Sequence, residues 1–307
     1  MPEKYHKQAL SFEQQLERIC QRGLVVSDKD AALAALSSIS YYRLSAYWYP
    51  FRIIDKHGER SNEVIPGTNF DDVIALYSFD RQLRLLVMDA IERIEVAIRT
   101  TITYHMGHTY GAFGHTDPKN FHPKFQHRKW LAKLEEETSR SSDAFIRHFR
   151  SRYQGFPTVP VWMVTEVMSL GALSFFYKGL RNDFRAGVED KKSIASQFDI
   201  HHKRLGNWLH ILTYIRNVCA HHSRLWNREL AIRPDANKDP NWLDPITPRN
   251  DRIFYVLLML RHLLKATGNN NDWQLETTNL LSPIADKLHF RRAMGMPEDW
   301  KEHPLWT

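Results

Sequence analysis

A chain of 307 residues is long enough to bury a sizeable core, as one large domain or two small ones. Its 42 lysines and arginines outnumber its 35 aspartates and glutamates, and the net charge of +7 favours an anionic partner, RNA or DNA. Two distant cysteines, Cys20 and Cys219, argue against a disulfide framework, and no apolar run is long enough for a signal peptide or a membrane span. The composition predicts a protein of the reducing cytoplasm with no membrane partner.

The amino-terminal part has two segments of helical periodicity. Residues 11 to 22 are amphipathic, and so are residues 28 to 51, which have Ser27 or Asp28 as a cap and end at the motif YWYPF, whose proline disfavours continuation. A turn-rich stretch follows at 55 to 68.

A long helix is predicted to begin after a cap at Asn69 or Asp71 and to run towards Gly107. Its apolar positions recur every three or four residues, at 76, 79, 83, 86, 87, 90, 94 and 97. The stretch from Thr109 to Pro123 has no periodicity and predicts a loop.

Further helices are predicted downstream. The segment from Val161 to Lys178 is apolar nearly all round, which is typical of a buried helix. The others cover residues 125 to 139, 142 to 153, 201 to 222 and 251 to 266. Strand-like alternation is nearly absent, so the sequence predicts an all-α fold. We divide it into an N-terminal helical extension, a helical core and a C-terminal helical segment of open role, at residues 1 to 60, 61 to 240 and 241 to 307.

The helix predicted over residues 201 to 222 has a polar face of unusual composition. Its apolar face belongs to the core and holds Leu205, Trp208, Leu209, Leu212, Ile215 and Cys219. The opposite side carries His210, Tyr214, Asn217 and His221, whereas a solvated face is more often built from Glu, Lys and Gln. Three of these four groups can exchange or orient protons.

Arg216 flanks this polar face. It lies five positions before His221, so on an ideal helix the two side chains point about 140 degrees apart. Asn217 and His221 share a face, and we expect Asn217 to orient the imidazole while Arg216 reaches round from the flank. A helix end near residue 222, or a second subunit, would close the remaining gap. Spacing alone is weak evidence, because an arginine five to seven positions before a histidine recurs in Arg52 with His57, Arg99 with His105, and Arg204 with His210.

The residues around this site, RNVCAHHSRLWNREL at 216 to 230, resemble the Abi-like abortive-infection family of the HEPN superfamily. That superfamily carries an Arg, often a polar residue next, and a His four to six positions later, and Arg216, Asn217 and His221 match this motif. The resemblance covers about residues 40 to 230. It extends to YYRLSAYWYPFR at 41 to 52, FDRQLR and IERIEVAIR within 79 to 99, and PVWMVTEVMSLGALS at 160 to 174.

The resemblance implies a HEPN-like helical bundle and a metal-independent endoribonuclease without a cofactor. Its active site would form where two copies of the motif meet in a homodimer, with Arg216, Asn217 and His221 as catalytic residues. The family also implies a role in bacterial antiphage defence or toxin–antitoxin modules, and an RNA partner that holds the enzyme in check.

The chemistry of RNA cleavage fits these residues independently. RNA carries a 2'-hydroxyl beside each phosphate, so cleavage needs a base, an acid for the leaving oxygen and positive charge near the phosphorane. His221 can exchange a proton and Arg216 can bind the phosphate. One histidine cannot be base and acid in the same step, which favours the pairing of two motifs across a twofold axis.

Residues next to the motif have two interpretations. His222, Arg224, Trp226 and Arg228 are candidates for RNA binding, through phosphate contacts and stacking on a base. The last three are equally suited to anchoring the helix end by packing. Neighbouring histidines, such as His221 with His222, do not complete a set of four ligands, so no metal site is predicted.

Other features also keep their alternatives. Glu95 and Arg99, at i and i+4, predict a structural ion pair, and the alternative is that Glu92, Glu95 or Glu166 supports Arg216 from a facing helix. The YYRLSAYWYPFR stretch is more typical of a core than of a platform for bases. For the whole chain, the main alternative is a non-catalytic RNA-binding or scaffold protein that grips a cognate small RNA. A DNA-binding regulator is a distant third, because no recognition helix stands out.

Overall fold

The computed structural model describes residues 4, 6, 8–183, 189–235, 242, 248–268 and 271–306. Within these ranges it contains thirteen α-helices and one two-stranded antiparallel sheet, which confirms the predicted all-α class. The chain divides into two compact units, Met1–Gln82 and Leu83–Thr307. The boundaries near residues 60 and 240 stay predictions.

The first unit contains three helices, a hairpin and the first turns of a fourth helix, namely α1 (Phe12–Gln21), α2 (Lys29–Ile39), α3 (Tyr41–Trp48) and α4 (Phe70–Tyr110). Ser11 and Gln14 form a capping box that begins α1. Leu44, Tyr47 and Trp48 of α3 are at most 1% exposed. The aromatic stretch that contains them is therefore core in part, as the sequence favoured, whereas Tyr42 and Tyr49 of the same stretch are exposed.

The prediction of a single helix over residues 28 to 51 is wrong. Ser40 has a φ of 78°, which ends α2, and its hydroxyl accepts a hydrogen bond from the N–H of Arg43 at the start of α3. A short 3-10 helix, Tyr49–Phe51, follows and contains the proline of YWYPF. A serine that caps the next helix thus divides the predicted one.

A small β-hairpin overlaps the turn-rich stretch predicted at 55 to 68. Strand β1 (Arg52–Ile54) pairs antiparallel with β2 (Arg60–Val64). The carboxylate of Asp55 accepts hydrogen bonds from two backbone N–H groups of the connecting turn. The sequence did not show β2 because most of its side chains are polar and only Val64 is buried.

The second unit contains the rest of α4 and nine further helices, namely α5 (His127–Arg140), α6 (Ala144–Arg152), α7 (Val161–Val167), α8 (Leu170–Gly179), α9 (Asp190–Ser196), α10 (His202–Ala220), α11 (Ile253–Ala266), α12 (Asn271–Ala285) and α13 (Leu288–Met294). Eleven of the fourteen residues of α11 are buried, so this helix is central to the core. The indole of Trp273 on α12 donates a 2.8 Å hydrogen bond to the carbonyl of Leu86 on α4. The C-terminal helices are thus part of the core of this unit.

The prediction of the long helix is confirmed. α4 has 41 residues, and four of its predicted apolar positions within the second unit, Leu83, Val87, Ala90 and Ile94, have no measurable exposure. The predicted loop after α4 contains only short 3-10 helices, at Gly114–Thr116 and Pro118–Asn120. None of the helices in the described ranges combines the length and apolar character that crossing a bilayer requires.

The segment predicted as one buried helix over 161 to 178 forms two helices. Ser169 separates α7 from α8, because its hydroxyl accepts a hydrogen bond from the N–H of Ala172 and caps α8. Two aromatic side chains in this segment are half exposed, Trp162 at 49% and Phe175 at 47%. The expectation that the segment is buried all round is therefore wrong at these two positions.

Candidate active site

The candidate site lies on α10, whose predicted apolar face is buried. His201 caps the helix, its ring accepting a hydrogen bond from the N–H of Lys203. All six predicted core residues are at most 4% exposed, namely Leu205, Trp208, Leu209, Leu212, Ile215 and Cys219. Arg216, Asn217 and His221 are exposed on the other side. The core packing of α10 thus positions the motif at the surface.

α10 ends in a Schellman motif that fixes the backbone at His221. The N–H of His222 bonds to the carbonyl of Cys219 at 2.9 Å, and the N–H of Ser223 bonds to the carbonyl of Val218 at 3.0 Å. His222 has a φ of 54°, a left-handed conformation at which glycine is usual. His221 has φ −85° and ψ 11°, in the sparsely populated region where many active-site residues lie. The helix therefore ends close to where the sequence predicted.

Arg216 and Asn217 are hydrogen-bonded to each other, whereas the side chains of Asn217 and His221 are not. A guanidinium N–H of Arg216 donates to the side-chain oxygen of Asn217 at 3.4 Å, a long hydrogen bond. The described part of the chain offers no hydrogen-bond partner to the imidazole of His221. The structure thus brings together two of the three predicted catalytic residues and leaves His221 open to solvent.

A cluster of charges from α4 and α7 lies beside Arg216. Arg99 donates to the carboxylate of Glu95 at 2.8 Å and to the carbonyl of Met168 at 3.0 Å, and it lies 3.6 Å from the carboxylate of Glu166. Burial raises the pKa of Glu95, while the positive charges of Arg99 and then Arg216 oppose this rise. The predicted ion pair is confirmed.

The effect of Arg216 on Glu95 concerns the alternative that a carboxylate on a facing helix supports Arg216. The positive charge of Arg216 lowers the pKa of Glu95 and so favours its ionised form, which shows that the two side chains are close enough to interact. Arg99 competes for the same carboxylate and is hydrogen-bonded to it. Arg216 itself makes no ion pair with Glu95 within the described part of the chain and remains exposed.

The residues after the motif pack against the C-terminal part of the second unit. Trp226 is 1% exposed, and its ring meets that of Phe290 on α13 edge-on, with 5.2 Å between centroids. A buried indole offers no face to an RNA base, so the structure favours packing over stacking for this residue. Arg228 donates through Nε to the carbonyl of Arg224 at 2.9 Å, and both arginines are half-buried. His222 is exposed next to His221, and its role in RNA binding stays a prediction.

Several histidines elsewhere in the second unit contact other side chains of the protein. In the described ranges, no group of three or more metal-ligating side chains is placed to hold an ion. His105 shares a 2.7 Å hydrogen bond with the buried carboxylate of Asp190, which also accepts a bond from the hydroxyl of Tyr110. The rings of His201 and His202 contact each other in a tilted arrangement, with 4.2 Å between centroids.

A cavity of about 480 Å³ lies between α8 and α10 and continues the polar face of α10. Its lining includes Lys178 of α8, Lys191 of α9, and Lys203 and His210 of α10. His210 shares a helix face with His221. The sequence analysis missed this cavity because its lysines come from three helices, and spacing along the chain does not show how these helices pack.

Comparison with known proteins gives one match. The model of a family described as Abi-like protein matches residues 34–227, a range that includes α10 and the residues after it. Searches of curated proteins and of solved structures find no match. Because the matched range covers well over half of the chain, the chain belongs to the Abi-like protein family.

Proposed function

We propose that this protein is a metal-independent endoribonuclease of an abortive-infection system, with Arg216 and His221 at its active site. The observation that carries the proposal is the end of α10. There the exposed imidazole of His221, at the C-cap of the helix, follows the exposed guanidinium of Arg216 by five residues, on a backbone that the Schellman motif fixes. The family supports a role in phage defence. Cys20 and Cys219 are not joined in a disulfide, which supports a reducing compartment such as the cytoplasm.

Each residue has a distinct part in the proposed reaction. His221 takes the proton from the 2'-hydroxyl or gives one to the leaving 5'-oxygen. Arg216 donates hydrogen bonds to the phosphate oxygens, whose negative charge grows as the phosphorane forms. Asn217, which contacts Arg216, holds the guanidinium at the surface. The products are a 2',3'-cyclic phosphate and a 5'-hydroxyl.

The reaction requires a second protonic group in the same step. His221 cannot supply both the base and the acid in the same step. The neighbouring His222 has a left-handed backbone conformation and is not assigned the second role. We therefore propose a homodimer in which two copies of the motif face each other across a twofold axis. An RNA partner that binds the same exposed face would hold the enzyme in check.

A non-catalytic RNA-binding protein is the second candidate. The observation that favours it is that no described side chain orients the imidazole of His221, whereas a catalytic histidine usually has such a partner. In this alternative, Arg216 and His221 bind a cognate small RNA through its phosphates without cleaving it.

Cleavage of RNA by the purified protein tests the proposal. We expect wild type to cut single-stranded RNA, and His221→Ala and Arg216→Ala to lose at least two orders of magnitude in rate. His148→Ala, which removes an exposed histidine on α6, is the matched control and should keep full activity. Tight binding of uncut RNA by wild type favours the second candidate. A strictly monomeric protein, by light scattering, that still cleaves at high dilution contradicts the dimer.

A further inference from the structure

The cavity between α8 and α10 is strongly cationic. Its described lining contains three lysines, Lys178, Lys191 and Lys203, and no acidic residue. Lys178 and Lys203 are exposed, and neither makes an ion pair in the described part of the chain. A concave surface with one sign of charge attracts anions.

The charges in this cavity act on one another. Burial lowers the pKa of Lys191, and the positive charge of Lys178 lowers it further, while Asp190 opposes the shift. Burial also lowers the pKa of His202, and His201 and several lysines, including Lys203, add to the effect. Cations that destabilise one another are stabilised by a bound anion.

The cavity is rigidly built. The single hydroxyl proton of Tyr177, which is 1% exposed, is shared between the carbonyls of Lys191 at 3.1 Å and His202 at 3.0 Å, so it ties α9 and α10 to α8. A methyl group at Gly171 of α8 would lie 3.3 Å from the side chain of Thr213 on α10, so glycine lets the two helices approach closely beside the cavity. Nδ1 of His202 is buried and has no hydrogen-bond partner among the described residues.

An aromatic wall completes the cavity. Phe175 is 47% exposed and lines both this cavity and a second one between α5 and α8, of about 500 Å³. Exposed rings of this kind stack on nucleobases, while lysines contact the phosphates. The volume of about 480 Å³ is in the range that small ligands occupy. A nucleotide carries both groups that this lining suits, a planar base and a phosphate.

We propose that this cavity binds one nucleotide of the RNA strand that reaches Arg216 and His221. Lys178, Lys191 and Lys203 surround its phosphate, and Phe175 stacks on its base. His210 lies on the cavity wall and on the same face of α10 as His221, about 16 Å away along the helix. A few nucleotides of single strand span that distance. The identity of the strand rests on the proposed function, whereas the affinity of the cavity for nucleotides does not.

The test measures RNA binding separately from cleavage. All variants are made in the His221→Ala background, and the probe is a short fluorescein-labelled single-stranded RNA followed by anisotropy. We expect Lys178→Ala/Lys203→Ala to weaken binding roughly tenfold or more, and to reduce the slope of log Kd against log salt by about 0.7 for each phosphate that is no longer neutralised. Lys265→Ala, which removes an exposed lysine of α11 outside the cavity lining, should bind as the parent does.

A second variant tests the aromatic wall. Phe175→Leu keeps most of the apolar contact with Phe125, whose ring lies 5.1 Å away, but removes the flat face. We expect it to weaken RNA binding roughly tenfold, with an unchanged salt slope and melting temperature. Both effects together support the proposal.

Several outcomes would overturn it or separate it from the proposed function. Binding by the double-lysine variant that equals that of Lys265→Ala refutes the nucleotide site, even if wild type cleaves RNA. If wild type never cleaves RNA but the lysine variant loses RNA binding, the site stands and the cleavage proposal fails. Calorimetry with adenosine 5'-monophosphate distinguishes a free nucleotide from an RNA strand as the ligand of the cavity. Binding of the free nucleotide that depends on the lysines, with RNA binding unchanged, overturns the assignment to an RNA strand.

Discussion

Replacement of Trp226 by alanine distinguishes packing from RNA stacking in the segment after the motif. Trp226 is 1% exposed and meets Phe290 edge-on. Removing a buried indole leaves a cavity, and such Trp→Ala changes cost about 3–5 kcal/mol. For a unit of this size, a destabilisation of that magnitude lowers the melting temperature by roughly 10 °C.

Thermal denaturation followed by circular dichroism measures the effect. Trp162→Ala, which removes a tryptophan that is 49% exposed on α7, is the matched control and should cost about 1 kcal/mol or less. Phe290→Ala should resemble Trp226→Ala, because either change opens the same contact. A Trp226→Ala protein that melts as wild type does, yet binds RNA more weakly, would refute the packing assignment.

Three further sets of variants test the roles assigned to these side chains. His221→Ala and Arg216→Ala should leave the melting temperature within about 2 °C of wild type, because both side chains are exposed; unfolding of His221→Ala would show a structural histidine instead. His222→Gly should keep or slightly raise stability because it relieves the left-handed strain, whereas His222→Val should lower it by about 1–2 kcal/mol in urea melts, and equal stability of both variants would contradict the strain. Because burial raises the pKa of Glu95, wild-type stability should fall as pH rises through that pKa. Glu95→Gln should lack this fall in stability. Arg249 lowers the pKa of Asp251, so wild type should also lose stability as pH falls through that lowered pKa, and Asp251→Asn should lack this second loss.

The sequence was informative where one helix face repeats without interruption. The apolar positions of α4 recur over ten turns, so both ends were predicted within a few residues. The sequence did not predict the helix boundaries where a single polar side chain caps a new helix. Ser40 and Ser169 each cap a helix inside an apolar stretch. The sequence alone does not distinguish a serine that caps a helix from a serine on the surface of a continuous helix.

The candidate site was predictable in part for the same reason. Arg216, Asn217 and His221 lie on one helix, so their exposure follows from the burial of its apolar face. The burial of Trp226 was not predictable, because its partner Phe290 lies more than sixty positions later in the chain. Likewise, the lysines of the α8–α10 cavity meet only through tertiary packing.

Analysis of the RNA cleavage products tests the central claim most directly. A substrate is prepared in two forms, all-ribose and with a single 2'-deoxy substitution at the cleavage position, and each is incubated with wild type in excess EDTA. The account predicts that the all-ribose strand yields a 2',3'-cyclic phosphate and a 5'-hydroxyl in mass spectra, and that the substituted strand binds almost equally well but stays intact at that position. Cutting at the deoxy position, or complete loss of cleavage in EDTA, would contradict the roles proposed for Arg216 and His221.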